Sequence, residues 1–215
     1  MAKDCVILLH GLARTSNSFL LMEWRLKREG YTVVNASYPS TQATVEELSS
    51  RAVAPALRAC GTRQTHFVTH SMGAIVLRHY VATHGVPRNL GRTVMLGPPN
   101  KGTPIVDQME EIPGFAYFNG PAGAQLGTGP DSLPNRLGPV NFAVGVIAGY
   151  QSISPFMSAM MEGPNDGKVP VAATAVAGMK DHISLPVTHT FMMNNNKVQD
   201  QVINFLRDGK FSKEK

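Results

Sequence analysis

The stretch "VTHSMGAIVLR", residues 68–78, decides how the chain reads. A β-branched run ends in a serine, and an apolar helical pattern begins at once after it. A strand that turns sharply into a helix exposes the serine between them, and the usual spacing is G-x-S-x-G. Here the five residues are Thr69, His70, Ser71, Met72 and Gly73. Gly73 supplies the small residue on the helix side, and Thr69 stands where the first glycine is usual. Threonine suits a strand end, so it crowds the neighbouring helix without forbidding the turn. The expectation is a slightly adjusted turn with Ser71 Oγ exposed.

Around this turn, six short apolar runs recur, at 6–9, 32–35, 66–69, 93–96, 142–149 and 183–187. Continuous runs of this kind fit strands buried on both faces. Helical patterns at 18–29, 45–60, 72–83 and 196–208 lie among them. Thr44 with Glu47 makes a capping box ahead of the second, and Pro55 should kink or divide it. Strand–helix alternation predicts an α/β fold, a mostly parallel sheet of about six strands with helices on both faces. Ligands of such sheets sit beyond the carboxyl ends of the strands, which puts His10-Gly11, Ser71 and "GPPNKG" (97–102) along one edge.

The whole of 1–215 reads as one domain with an insertion at about 101–140, which holds seven glycines and six prolines. A long loop in a compact domain is usually functional. This one carries Phe115, Tyr117 and Phe118, read here as substrate-binding residues on a loop folded over the site edge, with a short helix near 104–111.

Composition narrows the classes. Hydrophobic residues make up 43% of the 215 and the formal net charge is +5, with the basic residues dispersed except in the tail "RDGKFSKEK". That distribution gives no nucleic-acid footprint. There is no apolar run long enough to span a membrane. The start "MAKDCVILLHG" shows no leader pattern, so the expected compartment is the cytoplasm. Cys5 reads as a buried free thiol, and a bridge to Cys60 is left open by the sequence. No metal or dinucleotide motif occurs, so no metal and no organic cofactor are expected.

A serine hydroxyl becomes a nucleophile when a histidine takes its proton and a carboxylate holds the histidine. Asp166, in "GPNDGKVPV", follows the fifth apolar run, and His189, in "LPVTHTFMM", follows the sixth. Asp131 precedes the late strand, and Asp181 and His182 sit side by side as an alternative acid and base; Asp166 and His189 are favoured by their order. Leu12, after His10-Gly11, and Met72, after the serine, offer backbone N–H groups for an oxyanion hole. His10 and His70 read as structural. Met157, Met160 and Met161 with Met192 and Met193 read as core filling rather than an acyl pocket.

"VILLHGLART", "THSMGA", "VMLGPPNKGT", "NDGKVPV" and "HTFMM" together resemble the lipase and esterase branch of the α/β-hydrolase family, in its minimal form. The resemblance implies a three-layer α/β-hydrolase fold, with Ser71 as nucleophile, Asp166 as orienting acid and His189 as base. It implies Leu12 and Met72 as oxyanion donors. The expected activity is hydrolysis of carboxylic esters of small molecules or lipids, with transient contact with lipid interfaces. Thioester or amide hydrolysis, acyl transfer, or a non-catalytic binding role on the same scaffold are the alternatives.

Overall fold

Residues 4–109 and 115–212 are described by the computed structural model, with the backbone alone for 115–118. The elements follow in chain order as β1 (Cys5–Leu9), α1 (Leu20–Arg28), β2 (Thr32–Ala36), α2 (Val45–Cys60), β3 (Thr65–His70), α3 (Met72–His84) and β4 (Leu90–Leu96). Then come α4 (Pro104–Met109), α5 (Phe115–Ala124), α6 (Leu133–Arg136), β5 (Ala143–Gly149), α7 (Pro155–Ala159), α8 (Val171–Thr174), β6 (Asp181–Leu185) and α9 (Asn196–Asp208).

The six strands form one sheet in the order β2-β1-β3-β4-β5-β6, and every neighbouring pair is parallel. Side chains of β1 alternate between the two faces. Cys5, Ile7 and Leu9 join one buried cluster with α2 and α3, while Val6 and Leu8 join another with α1 and α9. A sheet covered on both faces needs the continuous apolar strands that the sequence has. The chain steps from β1 out to β2 and returns to β3 on the other side of β1. That reversal opens a crevice at the carboxyl ends of β1 and β3, the switch point of such a sheet.

Local chemistry explains most element ends. Thr44 Oγ1 accepts from Glu47 N at 3.4 Å and Glu47 Oε2 accepts from Thr44 N at 3.2 Å, the reciprocal cap of α2. Asn195 caps α9, and Gly209 closes it in the left-handed region. Pro55 does not divide α2, which runs through it. The ring lies on the exposed side of the helix with Arg51 also exposed, so solvent can take the carbonyl the proline frees.

Two expectations are corrected. Residues 101–140 are not one long loop but carry three short helices, α4, α5 and α6. Their prolines sit in first turns or at the kink of α5, where Gly120 has φ 64° and Pro121 restarts the helix. A side chain at Gly120 would meet Thr41 O at 1.9 Å, so that turn needs glycine. Cys5 is not a free thiol: it is bridged to Cys60, with the Cα atoms 5.7 Å apart, tying the start of β1 to the end of α2.

Candidate active site

The elbow is built as its spacing suggests. Ser71 sits between β3 and α3 at φ 54°, and apart from it Ala13 alone among the described non-glycine residues has positive φ. Such a conformation persists only where the surroundings enforce it. Ser71 N donates to Leu96 O at 2.9 Å, and α3 starts hard against β1. A Cβ on Gly73 would lie 2.4 Å from Leu9 O, so this position admits no side chain. Thr69, the departure from the usual spacing, is fully buried within β3 and paired with Leu9 and Met95. The tight approach is made at Gly73, which is why a threonine two residues earlier is tolerated.

His189 lies in the turn after β6, and Asp166 in the turn that follows β5 and α7. His189 Nδ1–H donates to Asp166 Oδ2 at 2.7 Å, and Ser71 Oγ–H donates to His189 Nε2 at 2.9 Å. Asp166 is buried; its Oδ1 accepts from the Lys168 and Val169 N–H groups at 3.0 and 2.8 Å. His189 N donates to Asp166 O at 3.0 Å, so the two turns are stitched by backbone as well as side chain. Gly97, at φ 51°, passes beside the pair: a Cβ there would lie 3.0 Å from Asp166 Oδ2 and 3.1 Å from His189 Nδ1.

The competing residues lie elsewhere. His182 Nε2 bonds Thr174 Oγ1 at 2.8 Å, and Asp181 accepts from the N–H groups of His182 and Phe211. Asp131 is exposed in the turn before α6.

Gly11 packs against the elbow: a Cβ on it would lie 3.1 Å from Ser71 Cβ. Leu12 follows in a turn that lines the site, and Met72 is the first residue of α3, whose N–H has no acceptor within the helix. Ser71 and His189 open into a cleft of about 480 Å³ walled by Leu12, Ile105, Val106, Leu126, Met157 and Val169. Arg14 and Lys168 bring positive charge to it. Burial, with Arg14 nearby, pushes the Lys168 amine down from its ordinary range. The side chains of Phe115, Tyr117 and Phe118 lie outside the described residues; their backbone belongs to α5, whose Asn119 does line the cleft. Met157 faces the cleft, whereas Met192 and Met193 are fully buried core. Among the described residues no group of three or more His, Cys, Asp or Glu is arranged to hold a metal ion.

Sequence reasoning passed over several supports. Thr103 Oγ1 donates to Lys168 O at 2.5 Å and so braces the acid turn from the β4–α4 connection. Arg78, buried on α3, donates to the backbone and side-chain oxygens of Asn100 and to Pro134 O and Gly138 O. Burial without a carboxylate partner pushes its guanidinium down to about 10. His70 Nε2–H donates to His189 O at 3.0 Å. No local pattern marks these roles; an arginine on an otherwise apolar helix face was the sole hint.

Residues 6–195 match the profile of the Alpha/beta hydrolase family, and the chain belongs to that family. No curated protein matches it. Among solved structures, the mature form of Bacillus licheniformis lipase BlEst2 is similar at 19% identity and TM-score 0.75, covering 95% of this chain and 92% of that one. The metagenomic carboxyl esterase MGS0156 is similar at 16% identity and TM-score 0.67, covering 88% and 65%. Aspergillus fumigatus lipase B is similar at 14% and 0.68, with this chain covering 52% of its length.

Proposed function

We propose that this protein is a serine hydrolase that cleaves carboxylic esters. The observation that carries the reading is the relay from Asp166 through His189 to Ser71, at 2.7 and 2.9 Å, opening into a largely apolar cleft. Ser71 Oγ attacks the acyl carbonyl while His189 Nε2 takes its proton. Asp166 holds the ring in the Nδ1–H tautomer and stabilises the imidazolium. The Leu12 and Met72 N–H groups take the developing oxyanion. His189 then protonates the leaving alkoxide, and a water activated by His189 frees the acid.

Lipid esters are the favoured class. Leu20, Leu21 and Trp24 on α1, Tyr150, Ile153 and Phe156 after β5, and Phe191 after β6 are all exposed large apolar side chains. They lie on segments that leave the carboxyl edge of the sheet, around the cleft mouth. Exposed apolar surface continuous with a site supports contact with an interface, here a lipid surface. The 101–140 segment, whose α4 residues Ile105 and Val106 wall the cleft, is read as its cover. Among the described residues no helix is long and apolar enough to cross a membrane. The Cys5–Cys60 bridge supports an oxidising compartment over the cytoplasm.

The test is hydrolysis of a p-nitrophenyl ester series, short to long acyl, by wild type and Ser71→Ala. Turnover should fall about 10⁶-fold in the variant. Equal activity in both would end the reading. Matched thioesters and amides, run alongside, separate ester cleavage from other acyl transfers on the same residues. Trp24, the one tryptophan, reports docking: its emission should shift to the blue with phosphatidylcholine vesicles, and an unchanged spectrum would remove the interfacial part.

A further inference from the structure

His10 is fully buried at the end of β1 and stacks on Tyr38, which follows β2; their ring centroids are 4.0 Å apart and the planes 11° from parallel. Tyr38 N–H donates to His10 Nε2 at 3.3 Å. That nitrogen is therefore the acceptor, and the ring proton sits on Nδ1, which donates to Gly11 O at 2.9 Å. The Tyr38 hydroxyl donates to His10 O. Two successive carbonyls, His10 O and Gly11 O, are thus each held by one member of the stacked pair. A Cβ on Gly73 would lie 2.8 Å from His10 O, so this carbonyl also sits beneath the start of α3.

The consequence lies in the next N–H. The Gly11 carbonyl and the Leu12 N–H belong to one planar trans peptide and point in opposite directions. Holding one aims the other. The chain bends immediately afterwards, at Ala13 with φ 52°, so nothing helical or sheet-like downstream would hold this peptide.

We infer that His10, clamped by Tyr38, is a positioning residue that aims the Leu12 N–H at the oxyanion. The inference rests on the ester-hydrolase reading above and gives His10 a role beyond filling the core. An oxyanion donor acts only when it is set in advance at the position the negative oxygen will take. A peptide in a tight surface turn would otherwise rock and lose that geometry.

The experiment compares His10→Gln, His10→Asn and Tyr38→Phe with wild type. Asparagine places an amide donor where Nδ1 was, within reach of Gly11 O; glutamine cannot. His10→Gln should lower kcat by about 10- to 100-fold while KM moves by less than about threefold. Affinity for a trifluoromethyl ketone, which forms a tetrahedral oxyanion on the serine, should fall by the same factor. His10→Asn should regain most of both. Tyr38→Phe, which removes a single hydroxyl, should show the same pattern at about tenfold. It decides the matter if His10→Gln does not fold. Unchanged kcat and ketone affinity in the folded variants would overturn the inference, as would a fall in kcat without a fall in ketone affinity. Wild type that neither cleaves esters nor binds the ketone would instead overturn the hydrolase reading, and the inference with it.

Discussion

His70 Nε2–H donates to the backbone carbonyl of His189 at 3.0 Å, and the two rings lie 4.8 Å apart. The residue before the proposed nucleophile thus holds the proposed base by its main chain. His70 is buried, and its Nδ1 has no hydrogen-bond partner among the described residues. A proton there would be a buried, unsatisfied donor. Burial first, and the neighbouring His189 second, push His70 well below the ordinary value of 6.5. The sign follows. Below about 6.5 the unfolded chain binds a proton that the folded chain refuses, so stability is complete above that pH and lost as pH falls. His10, His66, His79 and His182 are shifted the same way, each chiefly by burial. We expect the melting temperature to fall steadily from pH 7 to 5, and to fall less steeply in His70→Gln, whose amide can still reach His189 O. A thermal melt series across that range checks both; a flat profile would refute the assignment of neutral buried histidines.

Asp166→Asn is expected to keep the fold and lose turnover. Its Oδ1 acceptor role toward Lys168 N and Val169 N can be kept by the amide oxygen. The amide nitrogen then faces His189 Nδ1 and forces the wrong tautomer. Removal of this kind costs about 10⁴-fold in kcat. Steady-state kinetics on an activated ester, beside a melt that shows the fold intact, measures it. A variant within tenfold of wild type would mean that another carboxylate orients His189.

The two sides of the elbow should respond oppositely. Gly73→Ala puts a Cβ 2.4 Å from Leu9 O and should abolish activity or soluble expression. Thr69→Val should be tolerated, because the Thr69 hydroxyl is buried with no hydrogen-bond partner among the described residues. Deleting an unpaired buried hydroxyl removes a desolvation cost of about 1 kcal/mol, so denaturant unfolding should show equal or greater stability. A loss of more than about 2 kcal/mol in Thr69→Val would show that the hydroxyl is bonded after all.

The Cys5–Cys60 bridge closes a loop across a separation of 55 residues. Constraining an unfolded loop of that size stabilises the fold by about 4 kcal/mol in the chain-entropy account. Cys60→Ala, or reduction of the wild type, should therefore lower unfolding free energy by about 2–4 kcal/mol while leaving kcat near wild type, since the bridge lies at the amino end of β1 and the site at its carboxyl end. Urea melts with and without a reductant give the number. No effect of reductant would mean that the two thiols are not joined in solution.

Much of the fold was legible because its signals are local. The apolar runs, the capping box of Thr44 and Glu47, the serine at a strand–helix junction and the glycine after α9 each depend on a few adjacent residues. The 101–140 segment misled because glycine and proline counts hide helices that begin at proline, as α4 does at Pro104. Asp166 and His189 stood out by their order after the fifth and sixth apolar runs. What distinguished them from Asp181 and His182 in space is that β6 carries the latter within the sheet, while the turn after β6 returns His189 toward β3.

By itself, the sequence determined an alternating α/β chain, a parallel sheet covered on both faces, and a sharp serine turn at one strand's end. These follow from periods of two and 3.6 residues and from turn chemistry, which a chain carries in short windows. The tertiary structure alone decided the reversal that seats β1 beside β3, and the bridge from Cys5 to Cys60. It also decided the stacking of His10 on Tyr38 across 28 residues and the meeting of Ser71 with His189 across 118. Those contacts have no local signature. They exist because one strand order buries both apolar faces at once, and that order brings the carboxyl ends of β1, β3, β5 and β6 to the same edge.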